Sequence, residues 1–468
     1  MKRKYKDLSV NMLLFTISGF APKLLSFVLV PLYTNCLTTG DYGIADLITT
    51  TIQLLIPIFT LDIQDAVLRF SLDKDADNED VLSIGLNVLL KGTLILMLGL
   101  TLIAFIPFIN VKKSYLIFLF FNYIGTSLYN TVSLFCRGID KIKVLTIASI
   151  INSIVTLTSN IVCLIFLKMG LNGYLFSYII GNFFALIYIF IRADLLTYIN
   201  FQWTQKNKKL QKEMFIYSIP LIFNVIAWWV NNASDRYILS AFAGVAVSGI
   251  YSVAYKIPSV LSTFQGIFYQ AWSVSAVKEF DPDDSDGFIG NMFSLMNTSM
   301  VIACSVIMIF DIPFAKILYA KDFFEAWKYV PLLLVSVVFN AMALFLGGIY
   351  TAVKDTKVLS LTTIIGAVIN TIGNFFLIPF IGAYGAAIAT VAGYFTSYLY
   401  RYIKLKKYIS MKVNTIKEFS LYILLMIQTL IASFGYKYIF IQIILLVSIV
   451  LLNINVVKKI IFKMLKKK

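Results

Sequence analysis

The chain has 468 residues, 59% of them hydrophobic and 14% charged, with a mean hydropathy of +0.84 and a formal net charge of +16. That much apolar surface cannot be hidden inside one water-soluble core, so the composition excludes an ordinary soluble domain. The absence of histidine also excludes histidine-dependent triads, histidine proton relays and histidine-ligated metal sites.

The apolar runs are about 20 to 25 residues long and lack the alternation of barrel strands, as helices crossing hydrocarbon require. In chain order they predict fourteen spans, at residues 11–33, 44–68, 81–108, 115–136, 144–167, 171–191, 214–234, 245–273, 288–310, 329–351, 358–380, 384–400, 418–435 and 438–457. The fold class expected is an all-α membrane protein. MKRKYKDLS ahead of the first run has the charge of a secretory signal, but the run exceeds the roughly 7 to 15 apolar residues of such a signal and reads as a retained first helix.

With the N-terminus inside, 29 Lys and Arg fall in the cytoplasmic segments and 8 on the opposite side, leaving Lys23, Lys91 and Lys256 within spans. This bias puts both termini in the cytoplasm, as an even span count requires. The basic charge is then a topological signal, and nucleic acid is not an expected partner. Cys36, Cys136, Cys163 and Cys304 have no metal or redox spacing and read as packing residues. The remaining charged residues form no hydrolytic constellation, so neither an enzyme nor a cofactor is expected.

Collinear self-similarity runs through most of the chain. Gly43 and Gln64 match Gly249 and Gln270 at an offset of 206; KVL at 143–145 and Asn160 recur at 357–359 and Asn374 at an offset of 214. Gly170, Gly173, Gly181 and Tyr188 recur as Gly382, Gly385, Gly393 and Tyr400 at an offset of 212. Six spans per unit means parallel repeats. The expected organisation is an N-terminal lobe (1–193, helices 1–6), a cytoplasmic interfacial linker (194–213), a C-terminal lobe (214–410, helices 7–12) and an additional helix pair with a basic tail (411–468).

Lys23, in FTISGFAPKLLSFVLVPLY, and Lys256, in YSVAYKIPSV, lie near the middle of their spans. An ammonium there is costly enough to need a partner, a wet cavity or an anionic cargo. Lys91 is nearer a span end and could equally reach the headgroups. The eighth span carries Ser252, Lys256, Ser259, Thr263, Gly266 and Gln270 at steps of three and four, one continuous helical face. The matching face of the second span carries Asp46, Thr50, Gln53, Pro57, Thr60 and Gln64. The seventh span has Asn224, Trp228, Asn231 and Asp235, with Arg236 beside it, and the first has Thr16, Gly19, Lys23 and Ser26. The alternative for any single hydroxyl is an interhelical hydrogen bond, and Asp235 and Arg236 could simply pair with each other. With Asp46 and Asp235 toward the outer mouth, the embedded balance is cationic and suits an anionic substrate. Pro22, Pro57, Pro220 and Pro258 interrupt spans and are candidate hinges, or static kinks.

SGFAPKLLSFVLVPLYTNCLTTGDYGIADL (18–47), QDAVLRF (64–70) and GIYSVAYKIPSVL (249–261) resemble bacterial Wzx-type polysaccharide-biosynthesis flippases, in the superfamily that also holds multidrug extruders and the lipid II flippase. The resemblance implies a V-shaped pair of six-helix lobes, and alternating access that moves an undecaprenyl-diphosphate-linked oligosaccharide across the bacterial cytoplasmic membrane. The product would be a capsule, O-antigen, exopolysaccharide or teichuronic acid. It implies that Lys23 and Lys256 hold the diphosphate, with Tyr255 beside Lys256 in the AYKIP segment. Further partners implied are membrane lipids, a polysaccharide polymerase, chain-length proteins and a coupling ion, H+ or Na+. An ion-coupled multidrug or metabolite antiporter is the alternative, with Asp46 as its carboxylate, although the first span lacks the acidic residue of many extruders. A lipid II flippase is disfavoured because the first span lacks that protein's arginines, and a non-transporting scramblase or scaffold would be indifferent to the lysines.

Overall fold

The computed structural model describes residues 25–73, 76–106, 111–200, 205–454 and 456, and among them the only regular structure is helical. Lys23 and Pro22 lie outside the described residues, as do Thr16 and Gly19. The helices run α1 (Val30–Cys36), α2 (Thr39–Phe59), α3 (Ile63–Ser71), α4 (Asn78–Phe105), α5 (Lys113–Gly138), α6 (Ile142–Ile161), α7 (Gly170–Arg192) and α8 (Gln205–Ala243). They continue as α9 (Val245–Ala254), α10 (Lys256–Lys278), α11 (Phe288–Ile309), α12 (Asp311–Leu318), α13 (Val330–Ala352), α14 (Thr356–Ile381), α15 (Ala383–Leu405), α16 (Thr415–Ala432) and α17 (Ile439–Leu452). Nine helices among the described residues are long and apolar enough to cross a membrane, and three shorter apolar ones accompany them. The protein is thus an all-α, multi-pass membrane protein.

Three segments differ from the sequence expectation. The span expected over 44–68 is two helices, interrupted at Thr60–Asp62, and that expected over 245–273 is interrupted at Tyr255. The second half of the expected linker, from Gln205, is instead the start of α8. At 39 residues and about 1.5 Å per residue, α8 is longer than the roughly 30 Å of hydrocarbon. Its polar opening QKNKKLQKE therefore winds as helix before the apolar run begins, and Gly244, at φ 91°, ends the element.

The chain divides into two compact units, Met1–Trp229 and Val230–Lys468. In the first, Ile63, Val67, Ile84, Val132, Phe135, Cys136, Ala148 and Leu186 form a buried apolar core. Gly92 on α4 lies against the end of α2 so closely that a Cβ would fall 1.9 Å from the Phe59 carbonyl oxygen. Each unit repeats one helix-pair contact. A Cβ on Gly181 of α7 would meet Thr156 and Asn152 of α6, and one on Gly393 of α15 would meet Asn370 and Gly366 of α14. Likewise Gly173 abuts Cys163, and Gly385 abuts Leu377. All four contacts obey the offsets of 212 and 214 read from the sequence, so the glycines recur because the same two helices touch at the same place.

In the second unit, α16 and α17 are tied to α11 by buried polar pairs. Glu418 accepts from Ser294 (2.7 Å) and Asn297 (2.6 Å), Gln428 from Ser305 (2.6 Å), and Asn453 from Thr298 (2.9 Å). The buried Arg401 guanidinium links three helices by donating to the Ala343 and Leu359 carbonyls and to the Thr362 and Thr363 hydroxyls.

Gly92→Ala is expected to overpack the α2–α4 contact and destabilise by about 1–3 kcal/mol, whereas Gly99→Ala, with open space around it, should leave the thermal midpoint in detergent unchanged. Before α14, Asp355 accepts from Tyr408 (2.5 Å) and the Val358 amide (3.2 Å); these bonds, Tyr408 first, hold its carboxyl below the usual carboxylate range. A folded-state value below the unfolded one stabilises above about pH 4 and is lost as pH falls through the folded value. The midpoint difference between wild type and Tyr408→Phe should therefore be present at neutral pH and vanish in strong acid.

Candidate functional site

In the second unit the break in the eighth span has a covalent cause. Pro258 has no N–H to offer the Ala254 carbonyl, and its ring crowds that turn. The neighbouring Val253 carbonyl accepts from Tyr319 Oη at 3.2 Å, which ties the kink to a distant residue. Lys256, half-buried, is the first residue of α10, next to Tyr255, whose backbone stays right-handed helical at φ −65° and ψ −14°.

The break divides the predicted polar face. Ser252, before it, is buried. Beyond it Ser259 and Gln270 are exposed, Thr263 is half-buried, and Gly266 has nothing within 4 Å of a Cβ. Only the α10 part of the stripe thus forms an open polar face.

Asp235 and Tyr255 meet at the buried end of α9. Asp235 is 2% exposed; its Oδ2 accepts from Tyr255 Oη (3.1 Å) and its Oδ1 from the Arg236 amide (2.9 Å). The Tyr251 and Tyr255 hydroxyls are 3.3 Å apart, and the Arg236 guanidinium lies 5.1 Å from the Tyr255 ring centre. Asn231 is buried, while Asn232 accepts from Tyr394 Oη at 2.8 Å. The carboxylate is thus turned into the protein and held by a tyrosine and a backbone amide.

In the first unit the second-span stripe turns partly inward. Thr50 and Thr60 are buried and return their hydroxyl protons to the Asp46 and Ile56 carbonyls, at 2.8 and 2.7 Å. Trp229 Nε1 donates to the Thr50 carbonyl at 2.7 Å. Gln53 is exposed, Asp46 and Gln64 are half-buried, and Pro57 is buried. Lys91 and Asn224 are exposed. Of the described prolines, Pro57 and Pro258 stand beside breaks, whereas Pro220 sits in unbroken α8.

Sequence reasoning passed over Asp62, which is fully buried between α2 and α3, and the buried Arg401 and Glu418. The available signal for Asp62 was an acidic residue inside a predicted span, which is a functional candidate by default. Among the described residues no group of three or more Cys, Asp or Glu side chains is arranged to hold a metal ion.

The model of a family described as "Polysaccharide biosynthesis protein" matches residues 8–274, more than half of the chain. The chain belongs to this family. No curated protein matches it significantly. Among solved structures, the fold is similar to "Lipid II flippase MurJ, inward closed conformation", with a TM-score of 0.71 and 14% identity over 96% of this chain and 100% of that one. It is also similar to "Inward-facing conformation of a multidrug resistance MATE family transporter of the MOP superfamily", with a TM-score of 0.61 and 12% identity over 84% of this chain and 98% of that one. At these identities the likeness is one of fold.

The Tyr255–Asp235 bond should contribute about 1–3 kcal/mol, as bonds to charged or buried acceptors do. Tyr255→Phe is therefore expected to lower the thermal midpoint of the purified protein, while Ser259→Ala, on the open face, should leave it within error of wild type.

Proposed function

We propose that this family member is a flippase that carries an undecaprenyl-diphosphate-linked oligosaccharide from the inner to the outer leaflet of the bacterial cytoplasmic membrane. Both termini are cytoplasmic in this reading, following the distribution of lysine and arginine. The carrying observation is Lys256: a half-buried cation at the kink inside an apolar span, followed by the open face of Ser259, Thr263 and Gln270. An ammonium inside a span favours an anion in a medium where water screens poorly, and the diphosphate is the anion of such a lipid. The hydroxyls and amides suit the sugar hydroxyls, and the polyprenyl chain stays in lipid.

The family description supports a role in polysaccharide synthesis, and the fold likeness to a lipid II flippase supports a lipid-linked cargo over a soluble drug. Lys23 contributes the second positive charge in this reading. The mechanism is alternating access, with the interruptions beside Pro57 and Pro258 absorbing the change. The partners are membrane lipids, a polysaccharide polymerase and chain-length proteins.

Lys23→Ala and Lys256→Ala, reconstituted in vesicles with a fluorescent lipid-linked oligosaccharide, should each lower the flipping rate by tenfold or more if each removes about 1.4 kcal/mol of charge complementarity. Lys256→Arg should retain most of the rate. Full activity in the double alanine variant, at equal protein level, would sink the diphosphate assignment.

A further inference from the structure

The first half of α8 docks on the first unit with one face and leaves the opposite face uncovered. Asn207, Met214 and Ser218 are buried, and Leu210 and Phe215 pack against the apolar core that holds Met214, Ala193 and Leu195. At 3.6 residues per turn these positions share one side of the helix. Lys208, Lys209, Lys212, Ile216, Ile219 and Phe223 fall within an arc of about 100° on the other side. All six are exposed, Ile216 by 66% and Phe223 by 75%. The helix is unbroken through this stretch in spite of Pro220, so the packed face fixes where the open one points.

That open face changes chemistry along its length. Its lysines precede Met214, where the apolar run begins, by two to six residues, a rise of about 3–9 Å. Headgroup layers extend roughly 5–8 Å beyond the hydrocarbon on each side, so the three ammoniums stand at phosphate height. Ile216 to Phe223 carry the same face about 10 Å further, within the depth of one leaflet. Glu213 is the only acidic residue from Gln205 to Ser234, and among the described residues no ion pair engages Lys208, Lys209 or Lys212. A topological signal requires only that lysines be present on this side; it does not require them to stand in phase with an apolar ridge over about four turns.

We propose that this face of α8 binds an anionic phospholipid of the inner leaflet, with its phosphate on Lys208, Lys209 and Lys212 and an acyl chain along Ile216, Ile219 and Phe223. Basic clusters just cytoplasmic of a span attract anionic lipid within about a Debye length, and here the ridge beneath them supplies the contact that a soluble anion would lack. The proposal rests on the cytoplasmic placement of the start of α8 in the function proposed above. It does not depend on the cargo, so it is testable without a flipping assay.

The test titrates the purified full-length protein in neutral detergent with phosphatidylglycerol or phosphatidylcholine at low salt and counts bound lipid by native mass spectrometry. Wild type should retain phosphatidylglycerol over phosphatidylcholine, and the preference should shrink as salt rises. Lys208→Gln, Lys209→Gln and Lys212→Gln together should weaken phosphatidylglycerol by about a hundredfold, at about fivefold per charge, while arginine at the same three positions retains it. The same change of charge elsewhere, Lys404→Gln with Lys406→Gln and Lys407→Gln, should leave binding as in wild type, and glycerol phosphate, which has no acyl chain, should not compete. Thermal midpoints in lipid-free detergent check that each variant is folded, and Phe223→Ala, which keeps every lysine, should also weaken phosphatidylglycerol. Equal retention of the two lipids, wild-type binding by the triple glutamine variant, an equal loss in the Lys404 set, or competition by glycerol phosphate overturns the proposal. Preferential retention of undecaprenyl diphosphate by the same three lysines also overturns it and assigns the face to the cargo. Lys256→Ala should bind phosphatidylglycerol as wild type does, so this proposal and the diphosphate assignment fail separately.

Discussion

Inside hydrocarbon no water is available to satisfy an amide or carbonyl, so a spanning helix can be interrupted only where something else completes its hydrogen bonds. This constraint organises the structure. At Tyr255 the carbonyl next to the one left without a donor by Pro258 is taken by Tyr319. At Asp62 the backbone closes on itself through Pro57, and Phe59 is accommodated only because the facing residue of α4 is Gly92. Each interruption therefore recruits a specific neighbour, and each sets a charged residue, Lys256 or Asp62, into a span.

The same rule explains why so many hydroxyls in predicted polar stripes are not available to a ligand. A threonine in a membrane helix can return its proton to the carbonyl one turn back and bury the remainder of its side chain. Thr50 and Thr60 of the second-span stripe do so while buried, as Thr34, Thr146 and Thr390 do elsewhere. On α10 Ser259 and Thr263 also donate to carbonyls one turn back, but that face is open, with Ser259 and Gln270 exposed and a glycine, Gly266, with nothing against it. Polarity in a stripe marks a wet face only when the packing leaves room for water or cargo beside it.

Buried charge is held in two ways. Arg401 is wholly engaged by carbonyls and hydroxyls of neighbouring helices, and Glu418 by a serine and an asparagine; these groups fix helices, and removing their partners would leave an uncompensated charge. Asp62 is buried to the same degree but incompletely satisfied. Burial alone did not separate these cases, and neither did residue type. The count of hydrogen bonds did.

The composition and length of the apolar runs determined an all-α membrane chain, and the offsets of 212 and 214 determined its internal duplication, because span length and helix-pair contacts leave regular marks on a linear sequence. Gly181 and Gly393 were legible as repeats before their common role, close approach of two helices, was visible. Lys256 was legible as an anomaly because its whole neighbourhood in sequence is apolar. Only the tertiary structure decided that two spans are interrupted, that α8 begins within the expected linker, that Ser252 and Thr50 are buried while Gln53 and Ser259 are not, and that Asp62 is a buried carboxylate with an unpartnered oxygen. Those outcomes depend on which side chains and carbonyls from distant positions arrive beside a residue, and helical periodicity carries no record of that once the helix is interrupted.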